Sequence, residues 1–135
     1  MARVSSRILV MYAGFVVESA STRELFAHPS HPYTVGLLNS IPAIHDRGRQ
    51  LRPIEGAPPD PERLPPGCPF APRCRWRVEA CWSTMPPIEP VAARPAHLAA
   101  CHNPVREDEV TVAAPRRPGF VPAPAPAGAD SEVPV

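Results

Sequence analysis

The chain begins with two short apolar runs, RILVMY at residues 7–12 and FVVES at residues 15–19. Both are rich in β-branched and aromatic residues, which suit a pleated, half-buried strand. Ala13-Gly14 between them provides a two-residue turn with a glycine free to take positive φ, so the pattern predicts a β-hairpin. A second reading competes: two arginines in the first seven residues, an apolar run of about ten from Ile8 to Val17, and small residues at 19–21 resemble a secretory leader. Glu18 directly after Val17, with Tyr12 and Gly14 inside the run, favours the hairpin. With no other strand predicted, Ile8, Val10, Phe15 and Val17 would be left on an unpaired apolar edge.

The period then changes. Ser21-Thr22-Arg23-Glu24 has the form of a capping box, the Ser21 hydroxyl accepting from the Glu24 amide and the Glu24 carboxylate reaching back to the Ser21 amide. A short helix through Leu25 and Phe26 follows, and His28-Pro29 with His31-Pro32 end it, because proline pushes its predecessor out of the α region. A second helix is expected from Tyr33 to Ser40, with Pro32 at its first position, Tyr33, Leu37 and Ile41 on one face, and Pro42 closing it. Ala43 to Pro66 mixes charge and proline and reads as an extended linker. From Pro104 onward, proline and alanine without periodicity predict a disordered tail.

Composition narrows the function. Of 135 residues, 22 are proline, which limits long helices and central strands, so much of the chain must be irregular. The net charge of +1, with acids and bases interspersed, offers no basic stripe for nucleic acid. The sequence has no lysine, which excludes Schiff-base chemistry and the phosphate-binding lysine of a P-loop. No segment approaches the roughly 18 apolar residues of a membrane-spanning helix.

All four cysteines fall in the middle and later part of the chain, at Cys68, Cys74, Cys81 and Cys101, in the spacing C-x5-C-x6-C-x19-C. Such grouping points to one shared ligand or a disulfide framework. A structural zinc site usually has a pair of ligands two to four residues apart, and the first two intervals here are wider. Wider loops suit thiolates that reach separate irons of a larger cluster, for which four cysteines are the required complement. Zinc, disulfides and simply buried thiols remain alternatives. His97 and His102 are possible substitute ligands, though surface positions beside Cys101 are expected for both. HPSHPY at residues 28–33 reads as a structural turn in preference to a metal site. Phe70, Trp76, Val78 and Trp82 would supply an apolar shell, a helix from Arg75 to Trp82 would deliver Cys81, and Arg73, Arg75 and Arg77 would balance a negative cluster.

Taken together, VMYAGFVVE, STRELFAHPSHPYTVGLLNSIP, EGAPPDPERLPPGCPFAPRCRWRVEACW and AACH resemble the C-terminal end of the ATP-binding subunits of oligopeptide and dipeptide ABC importers, over residues 7–102. The resemblance implies a small, irregular α+β fold: the hairpin as the remnant of an ABC nucleotide-binding domain, two short helices, a cysteine-ligated loop-rich module and a disordered tail. The implied division is residues 1–27 as the end of a nucleotide-binding domain, 28–103 as the peptide-transporter extension with its cysteine module at 65–102, and 104–135 as the tail.

The resemblance further implies a structural 4Fe-4S cluster on Cys68, Cys74, Cys81 and Cys101, with zinc as the alternative. Its partners would be the remainder of an ATP-binding subunit and the membrane permease subunits, in the cytoplasm at the inner face of the membrane. The chain shows no P-loop, signature loop or paired catalytic carboxylate, so it is expected neither to bind nor to hydrolyse ATP alone and to be the tail of such a subunit without its ATPase motifs. A secreted disulfide-stabilised protein and a stand-alone iron–sulfur, zinc or redox module are the competing classes.

Overall fold

The structure, a computed structural model, describes residues 6–40 and 53–110. Strands β1 (Arg7–Tyr12) and β2 (Phe15–Ser21) form the expected antiparallel hairpin. Ala13 at φ 49° and Gly14 at φ 85° are both left-handed, the backbone that matches a two-residue turn to the strand twist. Helix α1 (Thr22–Ala27) starts where the capping box places it, with the Glu24 N–H donating to the Ser21 hydroxyl at 3.2 Å. The return half of the box does not form, because the Glu24 carboxylate instead pairs with Arg94 at 3.3 Å.

Helix α2 spans Pro32–Ser40 and buries Pro32, Thr34 and Val35. Tyr33 and Leu37 are only partly buried, so the inward face is rotated from the one the spacing suggested. Ile41, Pro42 and the linker as far as Arg52 lie outside the described residues, as does the tail from Thr111.

Two strands went unrecognised in the sequence. β3 (Glu89–Val91) and β4 (Arg94–Ala99) form a second ribbon, and β4 pairs with β2, giving the antiparallel order β1-β2-β4-β3. Pro90 and Pro95 disguise them, since proline breaks the expected pattern of a strand. This pairing covers the free edge of β2 and leaves β1 at the edge of the sheet, but one face of the hairpin is covered by the shared core. Val10 and Val17 are 8% and 1% exposed, whereas Leu9 and Met11, on the opposite face of β1, are 62% and 55% exposed. Phe15 remains exposed and Ile8 is partly buried.

Packed against the hairpin is the cysteine segment. Val10, Tyr12, Val17, Ala20 and Leu25 share one core with Cys68, Phe70, Ala71, Cys74 and Cys81. Tyr12 meets Tyr33 and Phe70 edge-on, with ring centroids 4.7 and 5.1 Å apart. The folded part also runs further than the proline content suggested: Val105 is buried, its N–H donates to the Ser30 carbonyl at 2.8 Å, and a 3-10 turn follows at Glu107–Glu109. Glu107 adds further ties, to Arg94 and to His28 at 3.2 Å, in the stretch beyond Pro104.

Candidate functional site

The first three cysteines come from a short, cross-tied segment. The Cys68 N–H donates to the Cys81 carbonyl at 2.8 Å, a 3-10 turn at Ala71–Arg73 follows Phe70, and the Cys74 N–H closes on the Ala71 carbonyl at 3.2 Å. The helix expected from Arg75 is reduced to a single turn, α3 (Ala80–Ser83). The Val78 N–H donates to the Cys81 sulfur at 3.4 Å and the Trp76 amide acts on the Cys74 sulfur, so main-chain donors of this segment are turned toward the thiols. Cys101 arrives separately, just past β4, where the Ala100 N–H donates to the Val17 carbonyl at 2.9 Å.

All four thiols are free; Cys68, Cys74 and Cys81 are buried and Cys101 is half-buried. They gather closely enough that their charges interact. Burial pushes the Cys74 thiol up to about 12, and Cys101, Cys68 and Cys81 add to the rise. Cys101 is likewise pushed up to about 12 by burial, with Cys68, Cys81 and Glu18 contributing. Burial, then Cys81, raises Cys68. Opposing these effects are main-chain amides: those of Phe70 and Ala71 at Cys68, Trp76 at Cys74, and Asn103 at Cys101. Each of the four sulfurs therefore has at least one backbone donor, which favours a thiolate once an electropositive partner supplies the rest. Among the described residues, no three His, Cys, Asp or Glu side chains stand in an arrangement that would hold a metal ion as they are. Three buried thiols and one half-buried, each with a main-chain donor, are the type of ligand that a soft metal or an iron–sulfur cluster takes.

The remaining candidates sort differently. His97 is 1% exposed, not a surface residue, and its Nε2 lies 2.6 Å from the Glu18 carboxylate. His102 bonds the Thr84 carbonyl at 2.8 Å, and the His31 Nδ1 accepts from the Tyr33 N–H at 3.1 Å within the HPSHPY turn. Phe70 is buried, and Trp76 and Trp82 pack on the core, but Val78 is 40% exposed and contributes no shell. Arg73 does not face the thiols with its guanidinium; it donates to the Glu55 and Ile54 carbonyls at 3.1 and 3.0 Å and straps that segment down. Arg75 and Arg77 lie over Trp76 and Trp82, 5.5 and 5.4 Å from the ring centroids.

The residue that sequence reasoning overlooked is Glu18. Fully buried on β2, it accepts from the Ser30 N–H at 2.8 Å, the His31 N–H at 2.9 Å and His97. Its signal was visible: a carboxylate continuing an apolar run of a strand is either exposed by alternation or held by several donors.

Residues 17–81 match the family described as the oligopeptide/dipeptide transporter, C-terminal region. The chain is 44% identical over 107 residues to the oligopeptide transport ATP-binding protein OppD of Salmonella typhimurium, covering 79% of this chain and 31% of that protein. Against the oligopeptide transport ATP-binding protein AppD of Bacillus subtilis, identity is 47% over 88 residues, 65% of this chain and 27% of the relative. With the OppD of Mycobacterium bovis it is 46% over 112 residues, 82% of this chain and 18% of the relative. The chain thus spans a third or less of the length of these relatives. Over residues 17–81 it is similar to the oligopeptide/dipeptide transporter C-terminal region.

Proposed function

We propose that the chain acts as the C-terminal structural and regulatory part of a peptide importer's ATP-binding subunit, and that Cys68, Cys74, Cys81 and Cys101 hold a structural 4Fe-4S cluster. The supporting observation is the meeting of four free thiols from two separated segments, each sulfur backed by a main-chain amide. A bound cluster would supply iron–thiolate bonds that tie these segments together. The protein's own contribution is to exclude water with Phe70, Trp76 and Trp82 and to aim the amides at the sulfurs.

The partners in this reading are the rest of an ATP-binding subunit and the permease subunits, at the inner face of the membrane. No helix among the described residues is long and apolar enough to cross a membrane. With no lysine for a P-loop, the chain alone neither binds nor hydrolyses ATP.

Iron and sulfide analysis of anaerobically purified or reconstituted protein tests the site. A brown protein with about four irons per chain is expected. One zinc per chain would replace the cluster with a zinc site, and four freely titratable thiols without metal would remove the metal entirely. Calorimetry tests the nucleotide claim, which ATP affinity tighter than about millimolar would overturn.

A further inference from the structure

We infer that Glu18 is the positioning residue for Cys101, the thiol that closes the four-cysteine site. The inference rests on reading the four cysteines as one site. Cys68 and Cys81 are fixed to each other through the main chain, and Cys74 follows within the same segment. Cys101 is joined to that segment through the side chains of the residues after it, His102 on the Thr84 carbonyl and Asn103 on the Trp76 carbonyl, and not by a main-chain bond of its own like that between Cys68 and Cys81. Its position depends on whether β4 docks on β2 and whether the chain beyond it is turned back.

Glu18 controls both. Its carboxylate holds His97 of β4 at 2.6 Å, two residues before Ala99, which is the residue facing Glu18 in the β2–β4 pairing. It also accepts from the Ser30 and His31 amides. On one side of Cys101, the Ala100 N–H is bound to the Val17 carbonyl, next to Glu18; on the other, the Val105 N–H is bound to the carbonyl of Ser30, the residue whose amide Glu18 holds. One buried carboxylate therefore sets both anchor points of the Cys101 segment. A carboxylate with no exposure requires its donors together, since losing one leaves a buried charge undercompensated, so the arrangement forms as a unit. Glu18 is also near enough for its charge to act on the Cys101 thiol. From there the His102 ring bonds the Thr84 carbonyl and the Asn103 side-chain Nδ2 donates to the Trp76 carbonyl, at 2.8 and 2.9 Å, completing the connection to the segment of the other thiols.

The test uses the full chain with Glu18→Gln, His97→Ala and His97→Gln, the last keeping an N–H donor for the carboxylate. In metal-free protein, alkylation of each cysteine is followed by mass spectrometry. Glu18→Gln and His97→Ala should speed reaction at Cys101 by about tenfold or more, leave Cys68, Cys74 and Cys81 within about twofold, and His97→Gln should restore slow reaction. Equal acceleration at all four thiols, or none at Cys101, would overturn the inference. In reconstituted protein, the electron paramagnetic resonance spectrum of Glu18→Gln should resemble that of Cys101→Ser and differ from that of Cys68→Ser; resemblance to Cys68→Ser would also overturn it. If the parent chain takes up no metal, the cluster reading fails, while the alkylation pattern still decides the role of Glu18.

Discussion

The main chain of Gly67 lies directly against that of Cys81. A Cβ on Gly67 would overlap the Cys81 carbonyl oxygen and stand 2.8 Å from its carbon, and that same oxygen receives the Cys68 N–H. Glycine is required here by close approach, since its φ is not in the left-handed region. Gly67→Ala must push Cys68 and Cys81 apart, at a cost of about 1–3 kcal/mol in line with overpacking of a closed site. The expected result is a lower urea midpoint together with reduced metal occupancy. Gly14→Ala is the control: at φ 85° it costs about 1 kcal/mol, but with no neighbour within 4 Å it should leave occupancy unchanged.

Acid should weaken the fold through His31. Burial lowers its ring from 6.5 to about 4, while its Nδ1 accepts the Tyr33 N–H and therefore needs the neutral form. The unfolded chain takes a proton near 6.5 and the folded chain resists until about 4, so the contribution is complete above 6.5 and is lost as pH falls between those values. The loss amounts to about 3 kcal/mol by the end of that window. Urea midpoints between pH 4 and 8 measure it, and His31→Asn, which keeps an acceptor for Tyr33, should flatten the slope. Parallel profiles for parent and variant would remove His31 as the cause.

Local signals made part of this structure legible. The hairpin followed from β-branched runs flanking Ala13-Gly14, and α1 from Ser21 and Glu24, because each depends on neighbours in sequence. The clustering of the four cysteines along the sequence was likewise visible, and the structure buries Cys68, Cys74 and Cys81 in the core shared with the hairpin. What was not readable depended on distant partners. β4 exists because β2 offers it a pairing edge and Glu18 accepts from His97, and neither fact has a local trace in a segment carrying Pro90 and Pro95. The helix expected from Arg75 is only the turn Ala80–Ser83, and the amides of Trp76 and Val78 just before it serve the Cys74 and Cys81 sulfurs, a contact that no local pattern announces.

The outer face of the hairpin should govern self-association. Leu9 and Met11 project from β1, an outer strand of the sheet, and are largely exposed. Replacing both with lysine should reduce aggregation of the full chain, read by size exclusion and sedimentation, and shift stability by no more than about 0.5 kcal/mol. Val10→Lys, on the buried face of the same strand, should instead unfold the protein. If the Leu9 and Met11 changes leave association untouched, this face is not the cause.

Alkali should reveal whether the thiols carry metal. In metal-free protein Cys74 and Cys101 are both pushed up to about 12, mainly by burial, from an ordinary value of 9.0. Thiols that stay protonated in the fold but ionise when unfolded contribute stability that is complete below 9.0 and is lost as pH rises from there toward 12. The slope is about 1.4 kcal/mol per pH unit for each such thiol. Metal binding has already ionised the same sulfurs, so the loaded protein should show no alkaline limb in this range. Urea midpoints from pH 8 to 11, with and without metal, distinguish the two forms. Cys74→Ala should remove only part of the metal-free slope, because Cys101 and Cys68, both raised by burial, continue to resist ionisation. An equal alkaline slope in loaded and metal-free protein would mean that the metal is not held by these thiols.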